Sequence, residues 1–538
     1  MISKFSYPLS TDQFAKIRMR NQVYVDKTGL MYNLVQQYDY VLLSRPRRFG
    51  KSLLCNTLHA YFEGRRELFE GLQVAGMETE WTQYPVLHFI MSGLKDLPME
   101  KAQGTLEGFL RHYEKIYGRD DDDVTPGNRF RGLIRHAYQK TGRQVVVIMD
   151  EYDAPVVSLL YEKEKLAQMR QMMREFYQVL KDEGQYLRFV FLTGVTKFSA
   201  ISIFSALNNL KDISMLDEYS GLCGITQTEL DTVLRPHVEE FAERMGKTTD
   251  EAYRALKRRY DGYHFSKHSE DVYAPFSLLN CLSDGELNDY WFGTSTSSAL
   301  LEHLQHFPVK DIIGLDGIQL HGKQFNIPYE DATSPVPMLY QSGYLSIKSY
   351  DPRKNHYTLH FPNTEVRSSM LECLMPVILH RTPTDSDSLI GSLIDAVIDG
   401  NLGQGIAALR SYIAGIPYDV ITKEEWDEQA GRERFYQMLF YIVFSILNAR
   451  VDAEVKSILG RADVVVQTDT DVFVIEFKVD RPVEDALAQI EAKDYAVAWQ
   501  ADGRRVTKCG VTVTSAKRNI THWRITDADG NVLEDTAF

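Results

Sequence analysis

Val145 to Met149 are five consecutive apolar residues that run straight into Asp150 and Glu151. A strand that is apolar on both faces must be covered on both, as central strands of parallel α/β sheets are. Acids at its carboxyl end then stand where such sheets bind ligands. The segment YDYVLLSRPRRFGKSLLCNTLHAYFEG supplies the complement. Tyr38 to Leu43 reads as a strand, Arg45 to Gly50 as a loop, and Lys51 opens a helix with Leu54, Leu58 and Phe62 on one face. Strand, loop and helix in that order set up a phosphate-binding loop, with backbone N–H groups and the helix N-terminus around the anion. The spacing GxxxxGK[ST] is met except at its first glycine, where Arg45 stands. On this reading Arg47, Arg48, Phe49, Gly50, Lys51, Ser52 and Leu53 surround the phosphates of ATP. Lys51 reaches the β- and γ-phosphates, while Ser52 and Asp150 hold Mg²⁺. Glu151 orients the attacking water.

The C-terminal third carries a second constellation, GRADVVVQTDTDVFVIEFK. Val464 to Gln467 and Val472 to Phe477 read as strands around a turn of alternating Thr and Asp. A turn centred on Asp469 and Thr470 places Asp463 opposite Glu476, with Cβ atoms roughly 5 Å apart. Like charges so placed repel, and a divalent cation between them relieves the repulsion. Lys478 lies two residues beyond Glu476 and so faces the same way. Two carboxylates and an ammonium on one face suit metal-assisted phosphodiester hydrolysis. Val472 and Val474 share that face while Phe473, Ile475 and Phe477 fill the other, so these charges are expected to be buried and to need partners.

These segments resemble a known bacterial family with an AAA-ATPase-like N-terminal domain. RPRRFGKS is similar to its phosphate loop, and YPLSTDQFAKIRMRNQVYVDKTGLMYNL resembles its lead-in segment. The resemblance makes LRFVFLTG a sensor strand, with Thr193 as a γ-phosphate contact. It offers Asp26 and Lys27 for the adenosine end of ATP, although a helix-entry turn explains them equally well. The hairpin resembles the PD-(D/E)xK nuclease-superfamily domain at the C-terminus of the same family. There RERFYQMLFYIVFSILNAR looks like the first helix, with Glu433 completing the metal site. In PVEDALAQIEAKDYA, Gln489 matches a glutamine facing the active site, and Lys493 lies one turn further on. Glu454 also recurs, without a clear role. The resemblance implies ATP and Mg²⁺ as cofactors and nucleic acid, DNA above all, as substrate.

The expected fold class is α/β: a P-loop NTPase domain, a helical and winged-helix-like middle module, and a C-terminal αβ restriction-endonuclease-like domain. At 538 residues the chain exceeds what one core supports. The expected boundaries are 1–224, 225–380, a linker and helical connector at 381–423 that begins with RTPTDSDS, and 424–538. In the middle, Thr226 and Glu229 form a capping box ahead of Leu230, Val233, Val238 and Phe241, and a second helix covers EAYRALKRRYDGYHF. Leu339 to Phe361 reads as a short helix and a hairpin. Such a module binds DNA or relays motion; without a visibly basic recognition helix, relay is favoured.

The net charge of −14 does not favour non-specific nucleic-acid binding, so any such surface is local. Candidates are Lys257-Arg258-Arg259, the Lys348 to Lys354 hairpin, and Arg504 to Arg518. Five scattered cysteines without CxxC pairs argue against a disulfide framework or a zinc ribbon. The N-terminus lacks a signal-peptide core, and the longest apolar run is too short to span a bilayer. The expectation is a cytoplasmic protein without a membrane partner. The leading function is an ATPase coupled to a metal-dependent nuclease. The alternative is an ATP-driven switch or scaffold with a non-catalytic nuclease-like domain that engages protein partners or self-associates.

Overall fold

The structure is a computed structural model that describes residues 3–538 apart from 161, 197–208, 292–303, 305–306, 308–314, 326, 328–331, 379–382, 417–434, 437–438, 441, 444–445, 447–453, 457–463, 468–469 and 493–503. The chain divides into two compact units, Met1–Asn363 and Thr364–Phe538.

In the first unit, helix α1 (Thr28–Gln37) leads into strand β1 (Tyr40–Ser44), and helix α2 (Lys51–Phe62) follows the phosphate-type loop. Strand β2 (Val86–Ile90), helices α3 (Met99–Tyr117) and α4 (Pro126–Thr141), β3 (Val145–Asp150), α5 (Lys163–Asp182), β4 (Leu187–Gly194) and the short β5 (Lys211–Asp212) come next. The strands form one parallel sheet in the order β2-β3-β4-β1-β5. Every residue of β3 is buried, as its unbroken apolar run predicts. Phe130 of α4 and Phe176 of α5 stack at 4.5 Å over the face that holds Val147 and Met149. In register, Leu43 pairs with Thr193 and Thr193 with Asp150, so the carboxyl ends of three strands converge.

A short β6 (Ile225–Thr226) opens the helical middle, with α6 (Gln227–Thr232), α7 (Arg235–Met245), α8 (Thr249–Tyr260), β7 (Val272–Tyr273) and α9 (Pro275–Asp284). The capping box forms as expected: the Thr226 side chain accepts from the Glu229 N–H and the Glu229 carboxylate accepts from the Thr226 N–H. Leu230, Val238 and Phe241 are buried, but Val233 is 47% exposed. The reason is a break at 233–234: a new helix opens at Arg235 with Pro236 in its first turn, and the apolar period does not carry across it. Strand β8 (Gln319–His321), helix α10 (Val336–Ser342) and strands β9 (Ser346–Asp351) and β10 (His356–His360) complete this unit. The expected hairpin gains a third strand, giving the antiparallel order β8-β10-β9.

The second unit starts with α11 (Thr364–Ile378), α12 (Pro383–Ile398) and α13 (Leu402–Ile413). The segment RTPTDSDS is therefore no linker over its described part, 383–388. Pro383 is the first residue of α12, and its Thr, Asp and Ser are the polar residues that helix starts prefer. Ser386 is buried, its hydroxyl 2.9 Å from that of Tyr412 in α13. Six strands follow: β11 (Glu454–Lys456), β12 (Val464–Gln467), β13 (Asp471–Val479), β14 (Arg505–Thr514), β15 (Asn519–Asp527) and β16 (Val532–Ala537), joined in chain order into one sheet. All neighbours are antiparallel except β13 and β14, which helix α14 (Val483–Ala492) connects as a crossover. On the opposite side of β13, Phe477 stacks on Phe440 with ring centroids 3.5 Å apart.

Candidate functional site

Two sites emerge, one in each unit. At the first, Gly50 is the N-cap of α2 with φ 85, Arg48 has φ 67, and no side chain caps the helix. Left-handed residues beside a helix N-terminus are the ingredients of a backbone anion nest. Lys51 is 7% exposed, and its amine donates to the Arg45 and Pro46 carbonyls at 3.0 and 2.9 Å. Burial pushes the Lys51 amine down, while Asp150, Glu151 and Asp153 oppose that shift. Asp150 is 2% exposed, and its Oδ1 is buried without a hydrogen-bond partner. Burial raises its carboxyl, against the pull of Ser52 and Lys51 beside it. An orphaned carboxylate oxygen next to a serine hydroxyl fits a hard divalent cation.

Several sequence candidates take definite places around this loop. The Phe49 ring is buried against Tyr263 and Phe265, so it offers the loop only its main chain. Arg47 is half-buried, and Arg48 is exposed with its guanidinium 4.7 Å over the Phe276 ring. The Thr193 hydroxyl donates to the Leu43 carbonyl at 2.8 Å, tying two strands together. Glu151 has left-handed backbone, φ 52, a conformation that costs a non-glycine residue of order 1 kcal/mol and clusters at functional sites. Asp26 is a helix-entry residue: it accepts from the N–H and hydroxyl of Thr28 at 2.8 and 2.7 Å. Lys27 pairs with Glu229 at 2.5 Å and also lines an apolar cavity of about 100 Å³ beside Gly50. Val25, Leu53, Ile225 and Leu279 share that cavity.

Asp153 was not singled out by the sequence. It is 3% exposed, and its Oδ2 accepts from the N–H of Val195 and Thr196 at 3.0 and 2.6 Å and from the Thr196 hydroxyl at 2.7 Å. The carboxylate thereby straps the exit of β4 to the turn that holds Glu151. The second aspartate of DEYD was the available signal.

In the second unit the hairpin takes the register that a turn on Asp469 and Thr470 sets, with Val464 opposite Ile475 and Val466 opposite Phe473. Glu476 is 1% exposed. The Lys478 amine donates to Glu476 Oε1 and to Gln489 Oε1, both at 2.8 Å, and the Gln489 amide donates to Glu476 Oε1. Glu476, Lys478 and Gln489 are thus brought together as expected. Asp463, Glu433 and Lys493 lie outside the described residues. Glu454 pairs with Gln467 and thereby stands level with Val472, about 13 Å along the strand from Glu476 at roughly 3.3 Å per residue. The register does not bring its backbone to the constellation.

Two residues that position Gln489 went unnoticed in the sequence. Gly510 pairs with Glu476, and a Cβ there would lie 2.9 Å from the Val483 carbonyl oxygen and 3.0 Å from Leu487. Its bare backbone lets α14 lie directly over Glu476. Lys508 is 3% exposed, and its amine donates to Glu491 at 2.6 Å and to the Ala528 carbonyl at 2.8 Å, pinning the far end of α14. A lysine among the β-branched residues of β14 was the clue.

Among the described residues no helix is long and apolar enough to cross a membrane. Residues 8–204 match the family described as predicted AAA-ATPase, and residues 431–523 match the PD-(D/E)XK nuclease superfamily. An uncharacterized protein in the vnfD 5′ region of Azotobacter chroococcum mcd 1 is 33% identical over 530 residues, covering 96% of this chain and 98% of that protein. The chain belongs to this family, with a predicted AAA-ATPase domain toward its N-terminus and a PD-(D/E)XK nuclease-superfamily domain toward its C-terminus.

Proposed function

We propose that the protein binds and hydrolyses ATP and couples this to metal-dependent cleavage of DNA. The observation that carries the nuclease half is the Lys478 amine, bonded at 2.8 Å to both Glu476 and Gln489 on a buried strand. An ammonium so held is oriented before substrate arrives, and it meets the negative charge that builds on a phosphate oxygen during hydrolysis. Gln489 fixes both partners by donating to one and accepting from the other. A Mg²⁺ ion held by Glu476 and Asp463 would supply Lewis acidity and an activated water. Glu433 is the further candidate for that shell.

For the ATPase half, Lys51 and the amides of residues 49–53 bind the phosphates, with Arg47 and Arg48 adding positive charge nearby. Ser52 and the orphaned Asp150 oxygen would hold a Mg²⁺ ion that neutralises phosphate charge. Glu151 orients water toward the γ-phosphate, and Thr193 keeps strands β1 and β4 in register beside it. The apolar cavity beside Gly50 receives the base.

The test is cleavage of linear, supercoiled and single-stranded DNA and of RNA with Mg²⁺ or Mn²⁺, with and without ATP. Asp463→Ala, Glu476→Ala and Lys478→Ala should each abolish cleavage; cleavage that survives all three belongs to another site or a contaminant. ATP turnover stimulated by DNA supports the coupled enzyme. Turnover indifferent to DNA, with no cleavage on any substrate, supports a switch or scaffold instead.

A further inference from the structure

The phosphate loop is held along its outer side by residues far downstream in the chain. Arg45, where the motif expects glycine, is 1% exposed and donates to the carbonyls of Ser44, Ser214 and Tyr219 at 3.0, 2.8 and 3.2 Å. Its guanidinium lies 4.1 Å over the Phe265 ring. Phe49 packs edge-on against Tyr263 at 4.7 Å. Gly343, with φ +92, ends α10 against Pro46: a Cβ there would lie 2.6 Å from the proline ring. The Trp291 indole N–H donates to the Arg47 carbonyl at 2.9 Å, and the same ring packs edge-on against Tyr344 at 5.1 Å.

The Trp291 bond has a directional consequence. In a trans peptide the C=O and the following N–H point opposite ways. Holding the Arg47 carbonyl toward the indole therefore turns the Arg48 N–H away from Trp291. The Tyr344 and Gly343 contacts tie the same indole and the neighbouring Pro46 to the start of β9.

We infer that Trp291 is a positioning residue for nucleotide binding, acting through the Arg47 carbonyl, and that it makes the geometry of the phosphate loop and the packing of the β8-β10-β9 module one equilibrium. Coupling of this kind is reciprocal: nucleotide must alter the module by the same factor by which the module alters nucleotide affinity. The inference rests on the nucleotide-binding reading and adds to it a residue and a direction of coupling.

The test uses the full chain with Mg²⁺ and the slowly hydrolysed analogue ATPγS. Trp291→Phe removes the N–H and replaces the indole by a smaller phenyl ring; its affinity by calorimetry should fall about fivefold, the scale of one neutral hydrogen bond. Free-protein melting will also fall, because the buried indole loses volume, so affinities are compared at a temperature where both proteins are folded by circular dichroism, which separates positioning from a general loss of structure. Hydrogen exchange on the unmodified protein gives a second measurement: ATPγS should change protection of peptides spanning 343–351, and Lys51→Ala should remove that change. If wild type binds and Lys51→Ala does not, yet Trp291→Phe binds within twofold of wild type or 343–351 is unmoved by nucleotide, the inference is overturned and the nucleotide site stands. If wild type itself fails to bind, the underlying reading fails with it.

Discussion

Replacing Gly510 with alanine tests how the nuclease-type constellation is positioned. The new Cβ would lie 2.9 Å from the Val483 carbonyl oxygen, a backbone atom at the start of α14 that no rotamer change can move. Ordinary contact needs roughly 3.4 Å, so the helix must retreat by about 0.5 Å. Gln489 rides on that helix, and its 2.8 Å bond from Lys478 would stretch to about 3.3 Å, beyond a good hydrogen bond. Overpacking of this kind costs about 1–3 kcal/mol. At about 2–4 °C per kcal/mol, melting of the C-terminal unit should drop by several degrees. Misplacement near half an ångström should cut cleavage by at least about tenfold, given that 1 Å can cost a hundredfold. Gly391→Ala is the control: a Cβ at that position in α12 meets nothing, and alanine should be neutral or stabilising there. The assays are thermal melting and DNA cleavage of both variants. A Gly510→Ala protein that melts and cleaves like wild type would refute the claim that helix approach sets the site.

Asp150→Asn should keep nucleotide affinity within severalfold but lose Mg²⁺-dependent ATP hydrolysis, read by phosphate release. Asp153→Ala leaves the part-buried amide of Val195 and the buried amide of Thr196 without an acceptor, each worth about 1–3 kcal/mol, so a urea melt should lose at least about 2 kcal/mol. Asp261 is 5% exposed, and burial pushes its carboxyl up to about 6. The folded state thus holds more protons than the unfolded one between the ordinary carboxylate value and about 6, and stability falls as pH rises through that window. Asp261→Asn should therefore raise the melting temperature at pH 7–8, with the gain fading below about pH 4; an equal gain at both ends of a pH series would exclude this origin.

What the sequence made legible was local or periodic. The phosphate-type loop, the buried strand β3, the capping box at Thr226 and the register of β12 on β13 each follow from patterns a few residues long. The hairpin register was readable because a short turn leaves a strand little freedom in its pairing. What stayed hidden depends on packing between distant segments. Arg45 looks like a flawed motif until Phe265, Ser214 and Tyr219 surround it. Gly510 is one glycine among many until α14 is laid across it. RTPTDSDS reads as a linker because residues that start helices and residues that make turns are the same set, and only the buried Ser386 tells them apart. Val233 follows the apolar period on paper but lies where one helix has ended and the next has not begun.

The parallel pairing of β13 with β14 through α14 has a consequence for folding. Glu476, Lys478 and Gln489 and the two residues that seat their helix, Lys508 and Gly510, come from one strand–helix–strand stretch, with Asp463 one hairpin upstream. Nearly all of the constellation is therefore close in sequence, and short loops close fastest in a folding chain.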